Sequence, residues 1–273
     1  MPTPTLIIYP PRKWVPIDFQ EIWKFRNLLY NFILRDIKIR YKQTVFGFLW
    51  VILQPVIMMI IFSIIFGRFA NIPSDGIPYP IFSFVALIPW ILFSDGLSRS
   101  STGMVTNAGV ITKVYFPRLI IPISGVLSPL IDFFIASVIL IIMMTYYRIV
   151  PTIGIIFIPF FILLAVVIAF AIGLWISALN VKYRDFQYTL PFLIQLGLYA
   201  SPIVYPISMI PEQYRLIYGL NPMVGVIEGF RWALLGAKLP TIEIFTSIII
   251  VIIILIGGLF YFKKMEQYFA DVI

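Results

Sequence analysis

Four charged side chains stand out from a chain that carries few charges: Asp95 and Asp132, each alone in a long apolar run, and Glu228 and Arg231, three residues apart in NPMVGVIEGFRWALLG, Asn221 to Gly236. Isolated acids inside apolar segments are costly and usually face a cavity or a partner, so both aspartates are functional candidates. Asp95 has a second reading, a structural pair with Arg99 one helical turn on. Glu228 and Arg231, at i and i+3, share a helix face and can pair. Either that pair holds two helices together, or it closes or lines the outer mouth of a conduit. The chain has neither Cys nor His, which excludes disulfides, thiol chemistry, His-ligated metals and the Ser-His-Asp and Cys-His nucleophiles. No catalytic residue, bound metal or cofactor of its own is therefore expected.

The elements that must position these groups are membrane helices. Of 273 residues, 61% are hydrophobic and 12% charged, against about 25% charged in an average soluble domain. Transmembrane helices need about 20 mostly apolar residues. Six segments qualify or nearly do: Phe46 to Phe66, Tyr79 to Leu97, Leu119 to Tyr147, Pro151 to Leu179, Tyr188 to Pro206 and Ile242 to Phe262. The fifth is interrupted by Pro191, Pro202 and Pro206, and a proline inside a helix removes a backbone bond. The N-terminal MPTPTLIIYPPRKW lacks the layout of a signal peptide. Placing the N-terminus and the even-numbered connections inside puts 15 of the 20 Lys and Arg there, and leaves outside only Arg68, Arg148, Arg215, Arg231 and Lys238. That asymmetry follows the positive-inside rule and predicts cytoplasmic termini. The net charge of +8 then marks cytoplasmic ends and anionic lipid contacts rather than a nucleic-acid partner.

The predicted organisation is a cytoplasmic N-terminus over 1–45, a six-helix membrane domain over 46–262 and a cytoplasmic tail over 263–273. Within residues 1–45, Lys24, Asn27, Asn31, Arg35, Lys38 and Lys42 share an arc of about 80° on a helix, opposite Ile22, Phe25, Leu28, Leu29, Phe32 and Ile33. Such a helix lies in the membrane interface, with its basic face toward water and lipid phosphates. It is either an anchor that fixes topology or also a docking surface. The stretch 98–118 is long for a turn. It holds an amphipathic piece, Val110 to Phe116, before Pro117, and reads as a contact patch of exposed Tyr115 and Phe116 beside Thr112, Lys113 and Arg118, or as a loop packed on its own protein. NVKYRDF, Asn180 to Phe186, reads as a topological clip.

Asn221 and Pro222 make a helix start and Gly236 a stop. The enclosed helix is about 21 Å long, too short for a core of about 30 Å. With the shorter piece Pro211 to Gly219 it predicts re-entrant outer helices within 207–240. Trp90, Phe93, Tyr199, Tyr205, Tyr214, Tyr218 and Trp232 suit a sugar-conducting channel by stacking on C–H faces, and equally suit an interfacial belt or a core.

The blocks RDIKIRYKQTVFGFLWVILQPV, ITKVYFPRLIIP, ALNVKYRDFQYTLPFLIQLGLYASPIVYP and LNPMVGVIEGFRWALLG occur in this order between Arg35 and Phe262. This succession closely resembles the permease subunit of ABC type-2 polysaccharide exporters, which move O-antigen, capsular and teichoic polymers. The resemblance implies an all-α integral membrane protein of the bacterial inner membrane, a homodimer of six-span subunits around a channel for lipid-linked polysaccharide. It also implies two ATP-binding cassette subunits that carry ATP and Mg. Ser98 to Phe116 would then be the coupling element to those subunits, and Pro211 to Gly236 the gate helices, with Asn221, Glu228, Arg231 and Trp232 at the gate. Arg40, Lys42 and Arg118 are the natural cations for the lipid-diphosphate end of the cargo. Consistently, the sequence has no Gly-Lys dipeptide and so no G-x-x-x-x-G-K-[ST] loop. Two other classes compete: an enzyme acting on lipid-linked sugars, which lacks paired carboxylates and a His base here, and an ion-coupled transporter, which asks for more intramembrane charge and often an internal repeat.

Overall fold

The computed structural model describes residues 19–42 and 49–272. The N-terminal segment with Arg12 and Lys13, and the first three residues of the expected first span from Phe46, lie outside the described residues. Among the described residues there is no strand. The helix expected in the membrane interface is two pieces, α1 (Phe19–Lys24) and α2 (Arg26–Tyr41), broken at Phe25. Its apolar side does not simply rest on lipid. Phe32 is buried, and Ile22, Phe25, Leu28 and Leu29 pack with it against Phe116, Leu119, Ile120 and Phe269.

Among the described residues, five helical segments are long and apolar enough to cross a membrane: Leu49–Phe69, Tyr79–Thr106, Ile120–Tyr146, Ile153–Lys182 and Thr241–Glu266. They contain α3 (Leu49–Phe62), α4 (Tyr79–Thr106), then, after the four-residue α5 (Ala108–Ile111), α6 (Ile120–Leu127) and α7 (Leu130–Tyr146), and α8 (Ile158–Lys182). The most apolar window of α4 is 78% buried against 11% for that of α3, so α4 is the central helix and α3 a peripheral one. α4 also runs nine residues beyond the expected end at Leu97, through SRSSTGMVT. Most of those residues, Ser98, Ser100, Ser101, Thr102 and Gly103 among them, are small, and small residues let membrane helices approach closely. A β-carbon on Gly125 of α6 would sit 2.7 Å from the Ser100 backbone, and one on Gly173 of α8 2.4 Å from the Ser100 hydroxyl. What reads as loop is the place where three helices meet.

The expected fifth span is the other difference. α9 (Phe186–Tyr199) has 14 residues, about 21 Å of helix, and the chain then leaves helical geometry at Ser201–Val204, all four residues buried. Pro202 and Pro206 withhold the donors that would continue the helix. Two short helices follow, α10 (Glu212–Tyr218) and α11 (Pro222–Leu235), before the last, α12 (Thr241–Val272). α11 has the expected ends: the Asn221 side chain accepts from the Met223 amide, Pro222 opens the helix, and Gly236 closes it at φ +73°. α11 is buried among α12, α4 and α8; a β-carbon on Gly225 would meet the Glu243 carbonyl at 2.7 Å, and one on Gly229 the Phe161 ring at 2.2 Å.

Candidate functional site

The predicted residues fall into two groups, one at the end that carries α2 and α5, the other at the far end around α11. At the far end the organising demand is the unwound segment 200–206. Its carbonyls have lost their helical donors, and non-helical backbone at such depth persists only where protein satisfies it. Side chains do so here. The Tyr79 hydroxyl donates to Val204 O at 2.6 Å, Arg231 Nη2 to Ile203 O at 3.0 Å, and Asn221 Nδ2 to Ala200 O at 3.3 Å and to the Ser201 hydroxyl at 2.9 Å. Arg231 Nη1 donates to Glu228 at 2.6 Å, and the guanidinium lies 3.7 Å from the centre of the Phe82 ring. Arg231 and Glu228 are 1% and 4% exposed. The pair therefore clamps α11 to α4 and to the unwound segment, which is the geometry of two elements held together. Thr152 ties down the other end of α11, its hydroxyl donating to Ala233 O at 3.0 Å. Trp232, partly buried, packs on Phe157 and Phe161 with ring centres 5.7 and 6.5 Å away.

The aromatics divide. Trp90 and Phe93 are core residues, packed on each other at 5.2 Å, and Trp90 fills the space beside Gly197 of α9; in this arrangement they offer no surface to a passing polymer. Tyr199 and Tyr214 are exposed. Tyr218 donates to the Tyr205 hydroxyl at 3.0 Å, and Tyr205 to Tyr199 O at 3.1 Å, a relay that links α10 to the end of α9. Burial first, and then the bond to Tyr205, push the Tyr218 phenol well above its ordinary pKa, so it stays a donor.

At the other end the structure brings together residues that the sequence keeps apart. Arg40 Nη2 donates to Asp95 at 2.9 Å, and Nη1 pairs with Asp132, which also accepts from the Tyr41 hydroxyl. Asp95 is bonded to Arg40, not to Arg99, whose side chain lines a small recess with Asp36, Arg40, Ser128 and Asp132. One arginine of α2 thus pairs with both acids and fastens α2 to α4 and α7. Arg40, expected to meet a lipid diphosphate, already has two carboxylate partners. Lys42 is exposed and lies with Arg35 and Lys38 along an open groove of about 480 Å³.

The contact patch needs one correction. Phe116, read as exposed, is 1% exposed and packs on Phe32 at 5.8 Å, while Tyr115 is 74% exposed. A turn this short has no helical face to sort its side chains, and the apolar side of α2 takes up Phe116. Thr112, Lys113, Val114 and Tyr115 form the exposed surface. That surface is held from three sides. Arg35 Nη1 donates to Asn107 at 2.7 Å, the Tyr115 hydroxyl to Glu21 of α1 at 3.1 Å, and the Arg118 amide to Glu266 of α12 at 3.3 Å, with Glu266 also paired to Lys263 at 2.7 Å. Burial and the Glu21 bond both raise the Tyr115 pKa, so its phenol remains a donor. Sequence reasoning missed Tyr41, Tyr79, Phe82, Glu21 and Glu266. Only the prolines at 202 and 206 gave a usable signal, since freed carbonyls call for donors.

Residues 27–235 match the family profile described as ABC-2 type transporter. The chain is 29% identical to the Myxococcus xanthus O-antigen export system permease protein RfbA over 93% of this chain and 98% of that one. It is 31% identical to a Klebsiella pneumoniae protein of the same name over 90% and 95%, and 27% identical to the Escherichia coli polysialic acid transport protein KpsM over 86% and 92%.

Proposed function

The chain belongs to the ABC-2 type transporter family, and on that footing we propose that it is the channel-forming subunit of an ATP-driven exporter of a lipid-linked, O-antigen-like polysaccharide. Two copies form the conduit in the bacterial inner membrane. Cargo passes from the cytoplasmic to the periplasmic side, and both termini are cytoplasmic. The observation that carries this reading is the match, over nine-tenths of the chain, to relatives named as O-antigen export permeases. ABC-2 permeases work with ATP-binding subunits, and two such subunits, carrying ATP and Mg, supply the energy here. In this reading α9 and the unwound segment after it form the fifth of six crossings, and α10 and α11 form the outer gate.

The end with α2 and α5 faces the ATPase. Lys113 and Tyr115 are the exposed coupling groups, while Phe116 anchors the turn that presents them. A force on that turn passes to α1, α2 and α12 through the three bonds that hold it. Lys42 and Arg118 remain as cations for the diphosphate end of the cargo. Co-expression with the ATP-binding cassette subunit, purification through a tag on one subunit and native mass spectrometry test the assembly. The expected result is a 2:2 complex that is lost in the Lys113→Ala, Tyr115→Ala double variant. Recovery of the chain alone, in detergent and in nanodiscs, would overturn the reading.

A further inference from the structure

The outward surface between α7 and α8 is not smooth. A crevice of about 580 Å³ opens there, lined by Phe133, Phe134, Leu140, Ile141, Met144 and Ile162 among others, and floored by Phe230 and Leu234 of α11. Between Phe133 and Arg148 the chain is almost wholly α7, so the crevice runs about 22 Å along the helix, long enough for a whole acyl chain. The lining is apolar apart from Ser137 and Thr145, which bond their own helix carbonyls, and Arg148, which stands at the mouth. Arg148 is exposed and its guanidinium makes no hydrogen bond or ion pair with any described residue. It occupies the turn after α7 with φ +55°, a left-handed position that costs an arginine about 1 kcal/mol which glycine would not incur.

An apolar slot of acyl-chain length, open on the outward surface of the spanning helices and ending in one unpaired cation, is complementary in shape and charge to one kind of molecule. We propose that the crevice binds a bilayer phospholipid with an anionic headgroup, its acyl chain between α7 and α8 and its phosphate on Arg148. The acyl chain would touch Phe230 and Leu234, one position before Arg231 and three after it, so the lipid packs directly on the helix that carries the buried ion pair. This site is independent of what the conduit carries.

The test is native mass spectrometry of the full chain released from nanodiscs of equal parts phosphatidylethanolamine and phosphatidylglycerol. The expected result is one retained phosphatidylglycerol per chain. Arg148→Ala should cut the preference for phosphatidylglycerol about fivefold, the discrimination one interfacial cation gives, and Arg148→Lys should keep it. Ser137→Trp, which fills the slot, should remove the bound lipid altogether. Should Ser137→Trp fail to fold, Arg148→Glu on the exposed turn still decides the matter by repelling the anionic headgroup. Three results would overturn the proposal: equal retention of both lipids by the unaltered chain, undiminished phosphatidylglycerol in Arg148→Glu, or a disulfide between two copies formed through Ile141→Cys, which would show that a second copy covers the crevice.

Discussion

Both ends of the bundle set an arginine against carboxylates, and they do so in opposite ways. Glu228 and Arg231 are neighbours on one helix, with side chains 6% and 2% exposed, and the arginine's other contacts are a backbone carbonyl and a ring. Arg40 and Asp95 come from different elements, with side chains 30% and 26% exposed, and the same arginine also holds Asp132. Opening the first pair leaves charges stranded in protein, where desolvation is not recovered. Opening the Arg40–Asp95 pair frees groups that are already partly exposed, at a smaller cost, and only Asp132, 8% exposed, is left buried without its cation. The far end is thus a clamp that preserves the shape of α11 and the unwound segment. The near end is a joint between α2 and the spans, held by pairs that are in part open to solvent; in the proposed exporter it is the part that yields when the turn at 112–115 is pushed.

The contrast is open to direct attack, and the largest effect should come from the clamp. Arg231→Ala strands Glu228 and leaves Ile203 O without its donor; loss of one partner from a buried pair costs about 3 to 5 kcal/mol. The unfolding midpoint of the purified chain should fall by ten degrees or so. Arg231→Met combined with Glu228→Leu should recover most of that loss, because no buried charge then remains. A double variant as unstable as the single one would mean that the carbonyl bond, not the ion pair, dominates. Arg40→Ala should cost about 2 kcal/mol, the scale of a hydrogen bond to a charged group, and adding Asp132→Asn should give part of it back through a coupling measurable in a double-mutant cycle. Additive losses at Arg40 and Asp132 would erase the joint. An Arg40→Ala effect as large as that of Arg231→Ala would make the two ends alike.

What could be read in the sequence follows from the range of the interactions. α11 was legible to the residue at both ends, since Asn221, Pro222 and Gly236 act within a few residues of themselves. Asp95 and Asp132 were recognisable as isolated acids, but not their common partner, because Arg40 reaches them only once α2 has packed on α4 and α7. Phe116 and Tyr115 are adjacent in a turn without periodicity, so nothing local says which is buried; the Phe32 ring decides it. Ser98 to Thr106 looked like loop by polarity, and became helix because Ser100 is small enough to sit between Gly125 and Gly173. The proline-broken stretch after Tyr199 signalled trouble for a span. The donors that rescue it, Tyr79, Asn221 and Arg231, lie on two other helices.

The smallest expected effect separates holding from coupling. Tyr115→Phe keeps the ring and removes only the hydroxyl that donates to Glu21 at 3.1 Å. The residue is largely exposed, so the bond competes with water and contributes at most about 0.5 kcal/mol. The unfolding midpoint should stay where it is. If the joint works as the geometry indicates, transport or partner-stimulated ATP hydrolysis should still decline, because the bond is the direct link from the exposed turn to α1, and Glu21→Gln, which keeps an acceptor but loses the charge, should decline less. A Tyr115→Phe chain that is stable and fully active would show that α1 takes no part in transmission. The link from the turn to the N-terminal helices would then run through Arg35 and Asn107, where the shorter bond, 2.7 Å and charge-assisted, already makes the stronger connection.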